Sequence, residues 1–116
     1  MDNSFMDRLE HALNWKPKPK PTGKERPGFI YFIQCHDFIK VGYAENVPVR
    51  LIALQTGCPY ELKLIKSIKT DDVEGDERKV HQHWKRYEIR GEWFQVPEGE
   101  LLVLAGSETI DELVGL

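Results

Sequence analysis

Between Gly28 and Tyr43 the chain carries two apolar runs separated by four residues, Gln34 and the turn Cys35-His36-Asp37. The first run, Phe29-Ile30-Tyr31-Phe32-Ile33, is aromatic or β-branched at every position. The second, Phe38 to Tyr43, holds β-branched Ile39 and Val41. Such runs read as strands, and so short a gap leaves room only for a tight turn, so the pair is an antiparallel hairpin. With His36-Asp37 as a two-residue turn, Ile33 stands opposite Lys40 and Tyr31 opposite Gly42. Side chains alternate along a strand, so this register puts Tyr31 and Lys40 on one face; a slip of one residue would separate them.

The residues after the hairpin supply its cover. Asn46 is placed to cap a helix from Val47 to about Gln55, with Pro48 in the first turn and Gly57 at its end. Leu62 to Ile68 alternates apolar residues with lysines and predicts a third strand. Asp71 or Asp72 caps a longer helix from Val73 to about Tyr87, whose apolar residues are Val73, Val80, Trp84 and Tyr87. Gly91 to Val96 is a short extended segment; Pro97 opens a helical turn through Leu104, and Ser107 caps a last helix containing Leu113 and Val114. This order predicts an α+β fold with a small three-stranded antiparallel sheet flanked by helices.

Upstream, residues 2–15 place Phe5, Met6, Leu9, Ala12 and Leu13 at helical spacing, an amphipathic helix in need of a partner surface. Lys and Pro then alternate from Lys16 to Pro21, which forbids helix and sheet and favours an extended form. That stretch serves as a stiff linker or as a basic arm lying on phosphates. The organisation is therefore a helix over 1–15, a linker over 16–27, a main domain over 28–96 and an acidic helical extension over 97–116.

At 116 residues the chain has room for one such core. Its net charge of -3 is uneven: +2 over residues 1–27, neutral over 28–96 and -5 over 97–116. A globally basic nucleic-acid footprint is thus excluded, and any such binding must use a local patch. No apolar run is long enough to span a membrane, the first residues contain no apolar leader, and two cysteines cannot frame a disulfide scaffold. The expectation is a cytoplasmic protein with no membrane partner.

Polar residues inside apolar patterns mark the chemistry. Tyr31, Lys40, Arg50 and Glu77 are of this kind, and His81 follows Glu77 by four, on the same helical face. A carboxylate, a phenol and two cations converging on a small sheet can handle a phosphodiester. The carboxylate holds a hard divalent ion, the cations offset charge on phosphoryl oxygens, and the phenol orients or deprotonates water. Each also has a plain explanation: Tyr31 as packing, Lys40 and Arg50 as surface charges, Glu77 as a solvated helix residue. His81 serves either as a general acid or as a helix histidine bonded to Glu77. A zinc site from Cys35, His36, His81 and His83 is disfavoured by its ligand spacing.

The ordered motifs resemble the GIY-YIG nuclease superfamily over residues 28–96. Phe29-Ile30-Tyr31 stands where GIY stands, and Lys40-Val41-Gly42 where YIG stands. Arg50 takes the place of the helical arginine and Glu77 that of the metal-binding glutamate. The likeness is closest to a compact bacterial and phage branch marked by Ile39-Lys40-Val41-Gly42, by Leu54-Gln55-Thr56-Gly57-Cys58-Pro59 and by Gly91-Glu92-Trp93-Phe94. The resemblance implies hydrolytic DNA cleavage with one divalent metal, Mg²⁺ or Mn²⁺, held by Glu77. Tyr31 would act on the attacking water, and Arg50 would stabilise the transition state. Lys40 replaces the second tyrosine; it can lower the pKa of Tyr31 or contact phosphate. The late asparagine of many members is replaced by the region of Glu92, a second acid or an ion-pair partner of Arg50 or Arg90.

Lys63, Lys66, Arg78, Lys85, Arg86 and Arg90 are the expected phosphate contacts. So small a core suggests a homodimer or a protein partner reached through residues 1–27. The rival reading is a catalytically weak or inactive GIY-YIG-like module that binds nucleic acid or protein, in a setting such as phage–host conflict.

Overall fold

The computed structural model describes residues 26–115; the expected N-terminal helix and nearly all of the Lys/Pro linker lie outside them. The hairpin forms as its spacing requires. Strand β1 (Gly28–Cys35) pairs antiparallel with β2 (Phe38–Ala44), with Ile33 opposite Lys40 and Tyr31 opposite Gly42. The tight turn puts His36 in the left-handed region at φ 55°. Helix α1 (Val47–Thr56) starts where Asn46 Oδ1 accepts the Val49 N–H at 3.1 Å and is capped by Gly57. Strand β3 (Lys63–Thr70) pairs antiparallel with the other edge of β1. Helix α2 (Val73–His83) begins with Asp72 Oδ1 accepting the Gly75 N–H at 3.0 Å.

Three expectations are corrected. The helix that was to reach Tyr87 ends at His83, and Lys85–Tyr87 tightens into a 3-10 turn. Trp84 is fully buried, edge-on to Phe32 and Phe94, which anchors the chain there. The tighter turn then lets the Tyr87 carbonyl accept the Gln95 N–H at 2.9 Å. Next, the sheet has five strands, because β4 (Glu88–Arg90) and β5 (Trp93–Phe94) add a small hairpin to the free edge of β2. Three and two residues are too few for alternation to show, and only pairing with β2 makes them strands. Gly91, at φ 56°, turns between them. Finally, Ser107 does not cap the start of the last helix. Its buried hydroxyl donates to the Val103 carbonyl at 2.7 Å, closing helix α3 (Glu98–Gly106). Thr109 caps α4 (Ile110–Val114), its hydroxyl accepting the Glu112 N–H at 3.1 Å.

The result is α+β, with strand order β3-β1-β2-β5-β4 and every pairing antiparallel. Alternation along the central strands splits the core in two. Ile30, Phe32, Val41, Trp84 and Phe94 fill one face with Val73 and Val80 of α2, Leu104 of α3 and Ile110 and Leu113 of α4. Tyr31, Ile33 and Trp93 fill the other with Val47 and Leu54 of α1 and with Cys58 and Leu62 of the loop after it. Each fully buried large side chain contributes roughly 1.5–3 kcal/mol. Among the described residues, no helix is long and apolar enough to cross a membrane.

Candidate active site at the edge of strand β2

Both main helices place one charged residue in the stripe that faces the sheet. Val47 and Leu54 of α1 are buried, and Arg50, three residues after the one and four before the other, lies on their side and is half-buried. Val73 and Val80 of α2 are buried, and Glu77 fills the same stripe with its side chain only 18% exposed. A charge at a position that helical periodicity reserves for the core is the sequence signal for this site.

Tyr31 is fully buried, and its hydroxyl lies over the Cα of Gly42 so closely that a Cβ at that position would collide with it. Glycine at 42 is therefore a condition for the phenol's position, which gives the Lys40-Val41-Gly42 motif a steric reason. Lys40 is 1% exposed and is no surface charge. Its Nζ lies 3.1 Å from Glu92 Oε2 and 5.4 Å from the centre of the Trp93 ring. Glu92 is carried by the turn between β4 and β5, and its carbonyl accepts the Val41 N–H at 3.0 Å. The sequence identified Glu92 as a second acid but not Lys40 as its partner, since the pairing depends on how the small hairpin docks.

On the other face His81 reaches the same strand. Its Nε2 is 3.4 Å from the Val41 carbonyl oxygen and 3.8 Å from Glu77 Oε1, and its ring packs edge-on to Phe94. A carbonyl only accepts, so Nε2 carries the hydrogen and Nδ1 is left as the basic atom. Burial is the main cause holding His81 below the ordinary histidine value, opposed by the Val41 contact and the charge of Glu88 and reinforced by Lys40 and Lys85. His81 is thus mainly neutral near pH 7, which favours proton acceptance over donation.

The groups approach the sheet from both faces, Tyr31 and Lys40 on one and Glu77 and His81 on the other. Tyr31 meets β2 at Gly42 and His81 meets it at the adjacent Val41, just beyond the last pair with β5 at Lys40 and Trp93. A two-residue β5 leaves that stretch of edge to side chains.

The expected phosphate contacts are spread more widely. Lys63, Arg78 and Arg90 are exposed. Lys66 donates to the Ala105 carbonyl at the C-terminal end of α3 at 3.2 Å, a position where a cation also favours the helix dipole. Lys85 pairs with Glu88 at 3.3 Å, and the Arg86 guanidinium lies 5.9 Å from the Tyr87 ring centre. Lysines along β3, an edge strand, also discourage pairing with another chain. Arg26, at the end of the expected linker, is tied to the domain. Its Nη2 donates to Tyr43 Oη at 3.0 Å and lies 3.5 Å from Glu74.

The residues of the disfavoured zinc arrangement have separate partners. His36 packs against Tyr60, His81 meets the Val41 carbonyl and His83 lies 3.7 Å from Glu100, while burial of Cys35 and, after it, the neighbouring Cys58 push the Cys35 thiol up. Among the described residues no three His, Cys, Asp or Glu side chains form a metal cluster.

The family model described as the T5orf172 domain matches residues 28–113. No curated protein and no solved structure was found to match the chain.

Proposed function

The chain belongs to the T5orf172 domain family, a GIY-YIG-related family, and we propose that it is a small metal-dependent endonuclease that hydrolyses DNA phosphodiester bonds. Within that family the motifs favour the compact branch marked by Ile39-Lys40-Val41-Gly42 and Gly91-Glu92-Trp93-Phe94. The observation that carries the reading is the gathering around two residues of β2. The Tyr31 hydroxyl lies over Gly42, and His81, 3.8 Å from the Glu77 carboxylate, meets the Val41 carbonyl.

In this reading Tyr31 orients or deprotonates the attacking water, and His81, which reaches β2 from the other face, is a neutral base. Arg50 offsets charge on the phosphoryl oxygens, an effect worth on the order of 10²-fold in rate. Lys40, paired with Glu92, fixes the turn between β4 and β5 against the Tyr31 face. Glu77 suits Mg²⁺ or Mn²⁺, since such ions are commonly bound through one or two carboxylates together with water and substrate phosphate oxygens. Its side chain is mostly sheltered, 18% exposed, with Oε2 buried. The chemistry such an ion supplies when bound is charge neutralisation and a lowered pKa of water. Lys63, Lys66, Arg78, Lys85, Arg86 and Arg90 would meet flanking phosphates, and residues 1–27 would recruit a second copy or a protein partner.

The burial of Lys40 where a second phenol would stand favours one rival, a binding module of the same fold without cleavage. Supercoiled plasmid incubated with the protein and Mg²⁺ or Mn²⁺, beside Glu77→Ala and Arg50→Ala, separates the two. Metal-dependent nicking lost in both variants is the expected result. DNA binding with no nicking in either metal would leave the binding module standing instead.

A further inference from the structure

The motif Leu54 to Pro59 has no part in the chemistry at β2, yet its glutamine is engaged three times. Gln55 Nε2 donates to the Cys58 carbonyl at 3.2 Å and the Tyr60 carbonyl at 2.9 Å, and Gln55 Oε1 accepts the Leu62 N–H at 2.7 Å. One side chain thus braces the whole loop between α1 and β3. What the braced loop presents is an aromatic ring, since Tyr60 is 45% exposed. A large aromatic residue left in solvent on a rigid loop gains nothing for the core, and its preorganisation favours a ligand.

Tyr60 does not stand alone. His36, in the turn of the β1–β2 hairpin, packs against it at 4.6 Å between ring centres and 75° between planes. His36 takes the left-handed backbone of the tight turn, a conformation that histidine, like asparagine and aspartate, adopts more readily than most residues. The two rings form a corner. Beside it a hollow of about 350 Å³ is lined by Gln34, His36, Tyr60, Glu61 and Lys63, within the size range of small-ligand sites. The lining provides a ring face for stacking, amide and carboxylate groups for the edge of a base, and an ammonium for a phosphate.

We infer that this hollow binds an unpaired nucleotide of the DNA strand, its base stacked on Tyr60 and its phosphate near Lys63. The inference rests on the nuclease reading for its choice of polymer and deepens it by naming single-stranded or frayed DNA as a bound form. A ring face is open to an aromatic side chain only when the base has left its stack. Along β1, His36 lies five residues beyond Tyr31, about 17 Å at strand spacing. At the rise of one duplex strand that is about five nucleotides from the reacting bond.

The test is fluorescence anisotropy of the full chain with a labelled twelve-residue oligothymidylate in EDTA at low salt, beside plasmid nicking in Mg²⁺. Tyr60→Ala should weaken oligothymidylate binding by about tenfold. Tyr60→Trp, which keeps a stacking face, should hold or tighten it. Thermal melting checks that both variants fold. Equal affinity of wild type and Tyr60→Ala overturns the inference, as does a wild type with no affinity for the oligonucleotide. If the wild type nicks plasmid while either of these holds, only the nucleotide site falls. If binding depends on Tyr60 but nothing is cut with either metal, the nuclease reading falls and the site stands.

Discussion

The two faces of the sheet are built from the same strands but packed differently. The face that includes Ile30 and Phe32 has an apolar centre, where Trp84 packs edge-on to Phe32 at 5.6 Å and to Phe94 at 6.0 Å, and it also carries Glu77 and His81. The face that includes Tyr31 and Ile33 encloses a lysine, its ion pair with Glu92 and a phenol lying over a glycine. An apolar face gains stability with every buried carbon, whereas a buried charge rarely stabilises more than a well-packed hydrophobe of the same volume. The difference teaches that the first face supplies most of the apolar burial while also carrying Glu77 and His81, whereas the second buries an ion pair and a phenol at some cost in stability.

Three substitutions probe that contrast. The largest effect falls on the apolar face, where Trp84→Ala should remove about 3–5 kcal/mol of stability, read from urea unfolding. A loss below 1 kcal/mol would mean that this face is not the structural one. On the other face, Gly42→Ala adds one methyl group against the Tyr31 hydroxyl and should cost about 1–3 kcal/mol. It should also lower nicking, because the phenol must move. Combining it with Tyr31→Phe should restore part of the stability but none of the activity, and full additivity in that cycle would show the two residues to be uncoupled.

The smallest effect is a pH dependence. His81 titrates below its ordinary value of 6.5 because burial disfavours the charged ring. As pH falls, the unfolded chain therefore binds that proton first. The stability contributed is complete above about pH 6.5 and declines as pH drops toward the folded-state value. Glu77 and Glu88 on one side and Lys40 and Lys85 on the other modulate the window. Melting temperature measured between pH 7.5 and 5 should fall less steeply for His81→Gln than for wild type. Parallel slopes would remove His81 as the responsible group.

Much of this arrangement was legible before any coordinates. The hairpin and its register follow from the spacing of two apolar runs around His36-Asp37, and the observed pairing agrees residue by residue from Phe29 to Cys35. The Asn46 and Asp72 caps follow from local hydrogen-bonding capacity. Arg50 and Glu77 stood out as charges next to apolar patterns and by their places in the ordered motifs; that each lies in the stripe facing the sheet came from the structure. The extended segment over 91–96 was legible, but its pairing with β2, the strand Glu88–Arg90 and the early end of α2 were not, since they depend on docking against β2 or against Phe32. At Ser107 the local signal misleads: its hydroxyl bonds the Val103 carbonyl four residues back, and Thr109 caps the last helix instead.

What the amino-acid order determined by itself was thus everything with a short period: strands, caps, turn, and the charged positions set among apolar ones. Only the tertiary structure decided that Lys40 is buried against Glu92, that His81 takes the Val41 carbonyl, and that Lys66 serves the end of α3. The reason is physical. Periodicity fixes which way a side chain points along its own element, while its partner and its solvent exposure depend on where other elements come to rest.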